Sequence, residues 1–430
     1  MARVNYSNNN SELNLILSGG IIKFMRWKMR LSRRDLLITG TDIGATILGI
    51  SFISGSRYIS GLESKAGKEA TVKAERKAIV FEKLVDKVTQ YAGINSTQII
   101  QELQPEFIFR AWWRWRAGSP PERYQALANK IAEIKQISDA TICGAIHTIA
   151  LWRREWDDYT FEWIYYPKTW EMALDPQKWG LPMLKEKYQY VHVRTGAFWS
   201  GSYDQYEPQT VPCYAPDLSN PDYQDLLYHI GLRQIESGCD AIWIDAWHWT
   251  VDDMAQLAND ATHPAVEDLV AGFNTICDMF RQHNVPVGSW YSRVPFKQKL
   301  DFVTIWAATP QEILNFNISE DRIEQEIQNI KDRVGNVPIY AFIDWGGWNP
   351  PMYAFSQQLS PQKQKEFLEY MTSFYSNYPE ITLAYPVHGG TMSSITQPAN
   401  ILSYGRFDIY DSNAPEFNIY PTIKSLITGL

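Results

Sequence analysis

From about residue 105 the chain alternates short apolar runs with amphipathic stretches of helical length. "EFIFRAWW" predicts a strand, and "PERYQALANKIAEIKQI" a helix opened by Pro121, whose fixed φ and missing N–H suit a first turn. "ATICGAIHTIAL" predicts a second strand, and "YQYVHVRTGAFW" a third after a long insertion over 152–186. "PDYQDLLYHIGLRQIESG" is a helix closed by Gly238, with "DAIWIDAW" as the fourth strand. "VPVGSWYS", "DFVTIWAA", "PIYAFIDWGG" and "ITLAYPVHGG" complete the set, with "HPAVEDLVAGFNTICDMFRQHN", "EDRIEQEIQNIKDRVG" and "SPQKQKEFLEYMTSFYSNYP" as helices among them. Strands alternating with helices imply a parallel sheet. Eight such units predict an α/β fold, a (β/α)8 TIM barrel over 105–430. A doubly wound open sheet is the rival, but no Gly-rich phosphate turn follows the first strand.

In a TIM barrel the C-terminal strand ends share one face, where active sites are built. Side chains alternate along a strand, so Ile242 and Ile244 face the helices while Trp243 and Asp245 face the axis. On "YAFIDWGGW", Tyr340, Phe342 and Asp344 point inward by the same rule. Two aspartates are therefore expected across one mouth, each close to tryptophan. Glycosidic bond cleavage needs two carboxyl groups flanking the scissile bond. Tryptophan around them desolvates a carboxyl and offers flat platforms for sugar rings. Glu312, in the loop after the sixth strand, is a second candidate for the proton donor. Either aspartate has a structural alternative, as a cap on the next helix or a partner of Arg110 or Arg194.

Composition supports a cleft of this kind. The 430 residues are 45% hydrophobic and include 17 Trp and 24 Tyr, more rings than a core requires. The net charge of -8 and the lack of a basic patch argue against a nucleic-acid partner. Cys143, Cys213, Cys239 and Cys277 show no CxxC pairing and are expected as buried free thiols. No metal or other cofactor is called for: a set of His147, His192, Asp245 and His388 lacks ligand spacing. A serine triad lacks its G-x-S-x-G turn.

The stretch "PCYAPDLSNPDYQDLLYHIGLRQIESGCDAIWIDAW" resembles the fourth βα unit of barrel glycoside hydrolases, where a helix leads into a G-x-D-x-x-x-x-D strand. Gly238, Asp240 and Asp245 match that pattern. In the α-galactosidase-like and α-amylase-like groups the strand-four aspartate is the nucleophile, so the resemblance implies that role for Asp245. Asp344 or Glu312 would then be the acid/base. Arg110, Trp112, His147, Arg194, Trp247, His248, Tyr291, Trp306, Trp345, Trp348 and His388 are candidate substrate-binding residues near the strand ends. The alternative is a catalytically silent carbohydrate-binding barrel of the cell envelope, with the aromatic cleft but no working acid pair.

The front of the chain reads as an address. "SRRDLLI" followed by "TGTDIGATILGISFISG" resembles a twin-arginine signal, carried by Arg33 and Arg34. Residues 1–54 are thus expected to be a signal, or an uncleaved membrane anchor, on an exported protein. Residues 55–104 are charged and helix-prone, a spacer and helical lead-in.

Overall fold

The computed structural model describes residues 3–5, 12–17, 20–25, 77–82, 84, 96–114, 121–157, 162–189, 213–344, 350–391 and 409–429. The chain divides into two units, Met1–Thr71 and Val72–Leu430. In the first, Arg3–Asn5, Glu12–Leu17 and Gly20–Met25 form an antiparallel three-stranded sheet. Arg33 and Arg34 lie outside the described residues, as do Arg194, Trp345 and Trp348.

The second unit is a closed parallel barrel. Its strands are β1 (Ala78–Phe81), β2 (Phe107–Arg114), β3 (Thr141–His147), β4 (Ala241–Asp245), β5 (Val287–Ser289), β6 (Phe302–Trp306), β7 (Ile339–Phe342) and β8 (Ile381–Thr391). Each pairs in parallel with the next, and β8 returns to β1. Beyond the barrel, β8 also pairs antiparallel with Ile409–Asp411. Closure leaves none of the eight strands with a free edge.

The expected count of eight is met by a different set. The first strand is "AIVF" in β1, which lies within the expected spacer, so the barrel starts before residue 105. Four residues between lysine and glutamate give too short a run to show a strand period. Of the expected third strand, Tyr188 and Gln189 are helical, with Tyr188 N–H donating to Leu184 O, and residues 190–199 lie outside the described residues. β3 pairs directly with β4, which leaves no place for a strand between them.

Helices α1 (Ser96–Leu103), α2 (Pro121–Ile134), α3 (Pro221–Glu236), α4 (Trp247–Ala258), α5 (Pro264–Arg281), α6 (Pro310–Asn315), α7 (Glu320–Arg333), α8 (Pro361–Tyr375) and α9 (Tyr420–Thr428) accompany the strands. Their starts follow local chemistry. Asn220 accepts from the N–H groups of Asp222 and Tyr223 ahead of α3, and Ser360 accepts from Lys363 N–H ahead of α8. Outward strand residues such as Ile242, Ile244, Val303 and Ile305 join the helices in one large apolar core. A smaller core fills the barrel: Ala78, Val80, Phe107, Phe109, Cys143, Ala145, Ala241, Trp243, Phe302, Phe342 and Ala384. The four cysteines are buried free thiols.

Candidate active site

The barrel interior is built as aromatic tiers. Phe107, Phe302 and Tyr340 meet at centroid separations of 4.4–5.6 Å near the strand starts. Above them Phe109 meets Trp243 at 5.0 Å and Phe342 at 4.9 Å, both edge-on. Trp290, just past β5, lies 5.9 Å from Trp243 and 5.4 Å from Phe342. These rings make a dry floor, so charges placed on it interact strongly and must be partnered.

The next inward position along the strands is polar. Glu82 follows Ala78 and Val80 on β1, Asp245 follows Ala241 and Trp243 on β4, and Asp344 follows Tyr340 and Phe342 past β7. Asp245 and Asp344 thus stand where strand phase predicts, above one floor. His147 lies beside Asp245 in register and is buried.

Arg110 sits among these groups. Its guanidinium lies 5.1 Å over the Trp243 ring and 5.9 Å over Phe342. Nε is 2.8 Å from Glu82 Oε1, and Nη1 donates to Asp344 Oδ1 at 3.3 Å. Arg110 is 1% exposed, so these carboxylates compensate a desolvated charge. Its backbone is unusual too, with φ at 60° inside a register shift between Ile108 and Trp112. A left-handed non-glycine residue costs on the order of 1–3 kcal/mol and persists where its surroundings enforce it. Here the enforcement is the two-sided ion pair.

Asp245 and Asp344 are held differently. Asp344 accepts from Arg110 and, at Oδ2, from Trp306 Nε1 at 3.3 Å. Asp245 accepts from Trp290 Nε1 at 2.6 Å through Oδ1. Burial raises Asp245 to about 7; the Arg110 charge opposes this, the nearby Asp344 adds to it, and the Trp290 bond opposes it again. Ala246 follows with φ at 64°, a left-handed turn directly into α4. Thr148 fixes the turn by donating both N–H and Oγ–H to Asp245 O.

Other expected binding residues separate into those at the mouth and those turned from it. Trp306 reaches Asp344, and His248 lies 6.2 Å from Trp290. Burial, aided by Arg293, lowers His248 to about 3, so it is neutral in ordinary buffers. Trp112 is not at the mouth: it keeps the outward phase of Ile108 across a two-residue register shift and packs in the outer core 5.9 Å from Tyr124. Tyr291 also faces outward, with its hydroxyl donating to Glu326, while Trp290 takes the inward place. Trp247 is fully buried, stacked 3.9 Å on Phe273, and donates to Trp290 O. His388 is turned over by a β8 bulge and stacks 5.4 Å from Phe81 of the outer core.

Glu312 is occupied in the scaffold. It closes a capping box with Thr309 at the start of α6 and accepts from Ser319 N–H. Arg322 donates to both its oxygens, at 3.0 and 2.8 Å. Burial alone would raise Glu312, but the Arg322 bonds and backbone N–H groups outweigh it and hold it below its ordinary value. Among the described residues, no group of three His, Cys, Asp or Glu side chains is arranged to hold a metal ion.

No protein-family profile and no curated protein matches the chain. Solved structures that align with it include the glycoside hydrolase domain of PelA from Pseudomonas aeruginosa, at 10% identity over 73% of this chain and 95% of that one, TM-score 0.37. Eubacterium rectale Amy13B aligns at 11% identity over 82% and 78%, TM-score 0.47. An alpha-amylase from H. orenii aligns at 12% over 82% and 81%, TM-score 0.44. The barrel assignment itself rests on the strand pairing, which closes without reference to them.

Proposed function

We propose that this barrel hydrolyses glycosidic bonds of an oligo- or polysaccharide, with Asp245 as proton donor and Asp344 as the anion facing the anomeric carbon. One observation carries the reading. Two aspartates from β4 and the end of β7 stand over one aromatic floor, one ion-paired with Arg110 and the other desolvated to about 7. A carboxyl that burial keeps protonated up to about pH 7, beside one ion-paired with an arginine, suits acid-assisted glycoside cleavage. The Asp245 proton passes to the leaving oxygen as the anomeric C–O bond breaks. The Asp344 carboxylate stabilises the positive charge developing at that carbon. Water then supplies hydroxide to the carbon and a proton to restore Asp245, so the net change is hydrolysis. Trp290, Trp306 and His248 are placed to meet the sugar around this pair.

The roles differ from those that the α-amylase-like resemblance implies, in which the strand-four aspartate attacks. The difference follows from Arg110, which gives its charge to Asp344 by direct contact.

The test is a panel of oligosaccharides of varied linkage and anomer, scored for new reducing ends and, separately, for binding. The wild type should release reducing ends from at least one member. Asp245→Asn should lower that rate by about 10²–10⁴-fold while retaining binding. Binding with no cleavage of any member would establish the silent sugar-binding barrel instead.

A further inference from the structure

Glu82 has no part in the chemistry just described, yet the fold is arranged to place it. It is 3% exposed at the end of β1, a position where a lone carboxylate would be strongly disfavoured. Its N–H donates to His388 O at 3.0 Å, and its carbonyl meets His388 Nδ1 at 3.1 Å. Gly389 leaves room for its side chain: a Cβ there would lie 2.5 Å from Glu82 Cβ and Cγ, and φ is 115°. Oε1 then meets Arg110 Nε on the opposite side of the guanidinium from Asp344.

We propose that Glu82 is a positioning residue acting through Arg110: it fixes the guanidinium against Asp344 and takes a share of its charge, so the two rim aspartates meet unequal amounts of positive charge. The purpose of that division rests on the hydrolytic reading; the division itself does not. A planar guanidinium presents a rigid fork of donors and can serve two carboxylates at once, which a lysine ammonium at the same place would do without the fixed angle. The left-handed backbone at Arg110 accompanies its inward turn, and Glu82 lies against its Nε side at 2.8 Å.

The titratable and charged groups on the described strand ends around this mouth include Glu82, Arg110, His147, Asp245 and Asp344, with His248 beside Trp290, His388 against Glu82, and Asp411 opposite His388 in register. Of these, Arg110 and Asp344 are the two whose charges act on Asp245. Changing the neutralisation of Arg110 must therefore move the titration of Asp245, whether or not any sugar is cleaved.

The experiment is a carboxyl ¹³C NMR titration of protein labelled at aspartate, with Asp245→Asn identifying the resonance. Glu82→Gln removes the compensating charge with little change of size, so the Asp245 midpoint should fall by on the order of half a pH unit or more. Arg110→Gln should raise it. A folded Glu82→Gln variant with the wild-type midpoint overturns the proposal. Should the uncompensated arginine prevent folding, the neutral pair Glu82→Gln with Arg110→Gln is read instead. Its midpoint should exceed the wild-type value, and an unchanged one would likewise overturn the proposal. Failure of the sugar panel alone would leave these titration results standing, so the two readings fail separately.

Discussion

Two sheltered carboxylate–guanidinium pairs lie at the end of this barrel where the strands finish, and among the described residues they are bonded to different extents. In the first turn of α6, Glu312 accepts from Thr309 N–H, Ser319 N–H and both arms of Arg322. Every lone pair that a carboxylate offers is engaged, and Arg322 gives two further donors to the carbonyls of Trp306 and Ala307. At the mouth, Asp344 takes two longer bonds of 3.3 Å, one from Arg110 and one from Trp306. Both pairs are sheltered. What separates them is saturation: the first ties the start of α6 to the chain after it, while Asp344, among the described residues, takes two side-chain bonds, beside Trp306. A carboxylate's sequence neighbours do not reveal this difference, but its hydrogen bonds do.

The comparison is broken most directly by exchanging each acid for its amide. Asp344→Asn should cost about 10²–10⁴-fold in kcat on whichever sugar the panel identifies, together with stability, since Arg110 keeps only the Glu82 charge. Glu312→Gln should lose about 1–3 kcal/mol of stability through unsatisfied partners with kcat little changed. Kinetics and thermal denaturation on both variants check this. Comparable losses of kcat in the two would erase the distinction drawn between them.

A smaller effect sharpens it. Asp245 has its folded-state value raised to about 7 from 3.8, so between those values the folded chain holds a proton that the unfolded chain has released. Stability supplied by that proton is present at low pH and is lost as pH rises through about 7. Asparagine at 245 cannot ionise and escapes the loss. Asp245→Asn should therefore melt a few degrees above wild type at pH 8, with the advantage gone by about pH 4. An equal or lower melting temperature at pH 8 would show that Asp245 is not a desolvated charge.

Much of the barrel was legible because period-two alternation names both the strand and its inward face. "AIWID" and "YAFID" each end an apolar run in an acid, and both acids stand at the mouth. "AIVFE" has the same grammar and supplies Glu82, but its flanking charges and shortness hid it inside an expected helical lead-in. "YQYVHV" alternates well and yet its opening residues form a helical turn, since local pattern cannot reveal that β3 and β4 already pair. A bulge accounts for His388: one extra residue reverses inward and outward, and nothing in the alternation marks it. On β2 two extra residues leave Trp112 in phase with outward Ile108, while Arg110 turns inward. For Tyr291 the error was one residue of phase at a three-residue strand. Glu312 was misplaced for another reason, because T-P-Q-E is itself a capping-box signature and its acid belongs to the helix start.

The central claim is that Asp245 delivers the proton while Asp344 bears the charge. It is tested most directly by leaving-group dependence, using aryl glycosides of the sugar identified by the panel. A dinitrophenolate departs without protonation, so Asp245→Ala should recover most of its lost rate on that substrate, and Asp344→Ala should recover none. Recovery by Asp344→Ala with none by Asp245→Ala would contradict the assignment and return the two aspartates to the opposite roles.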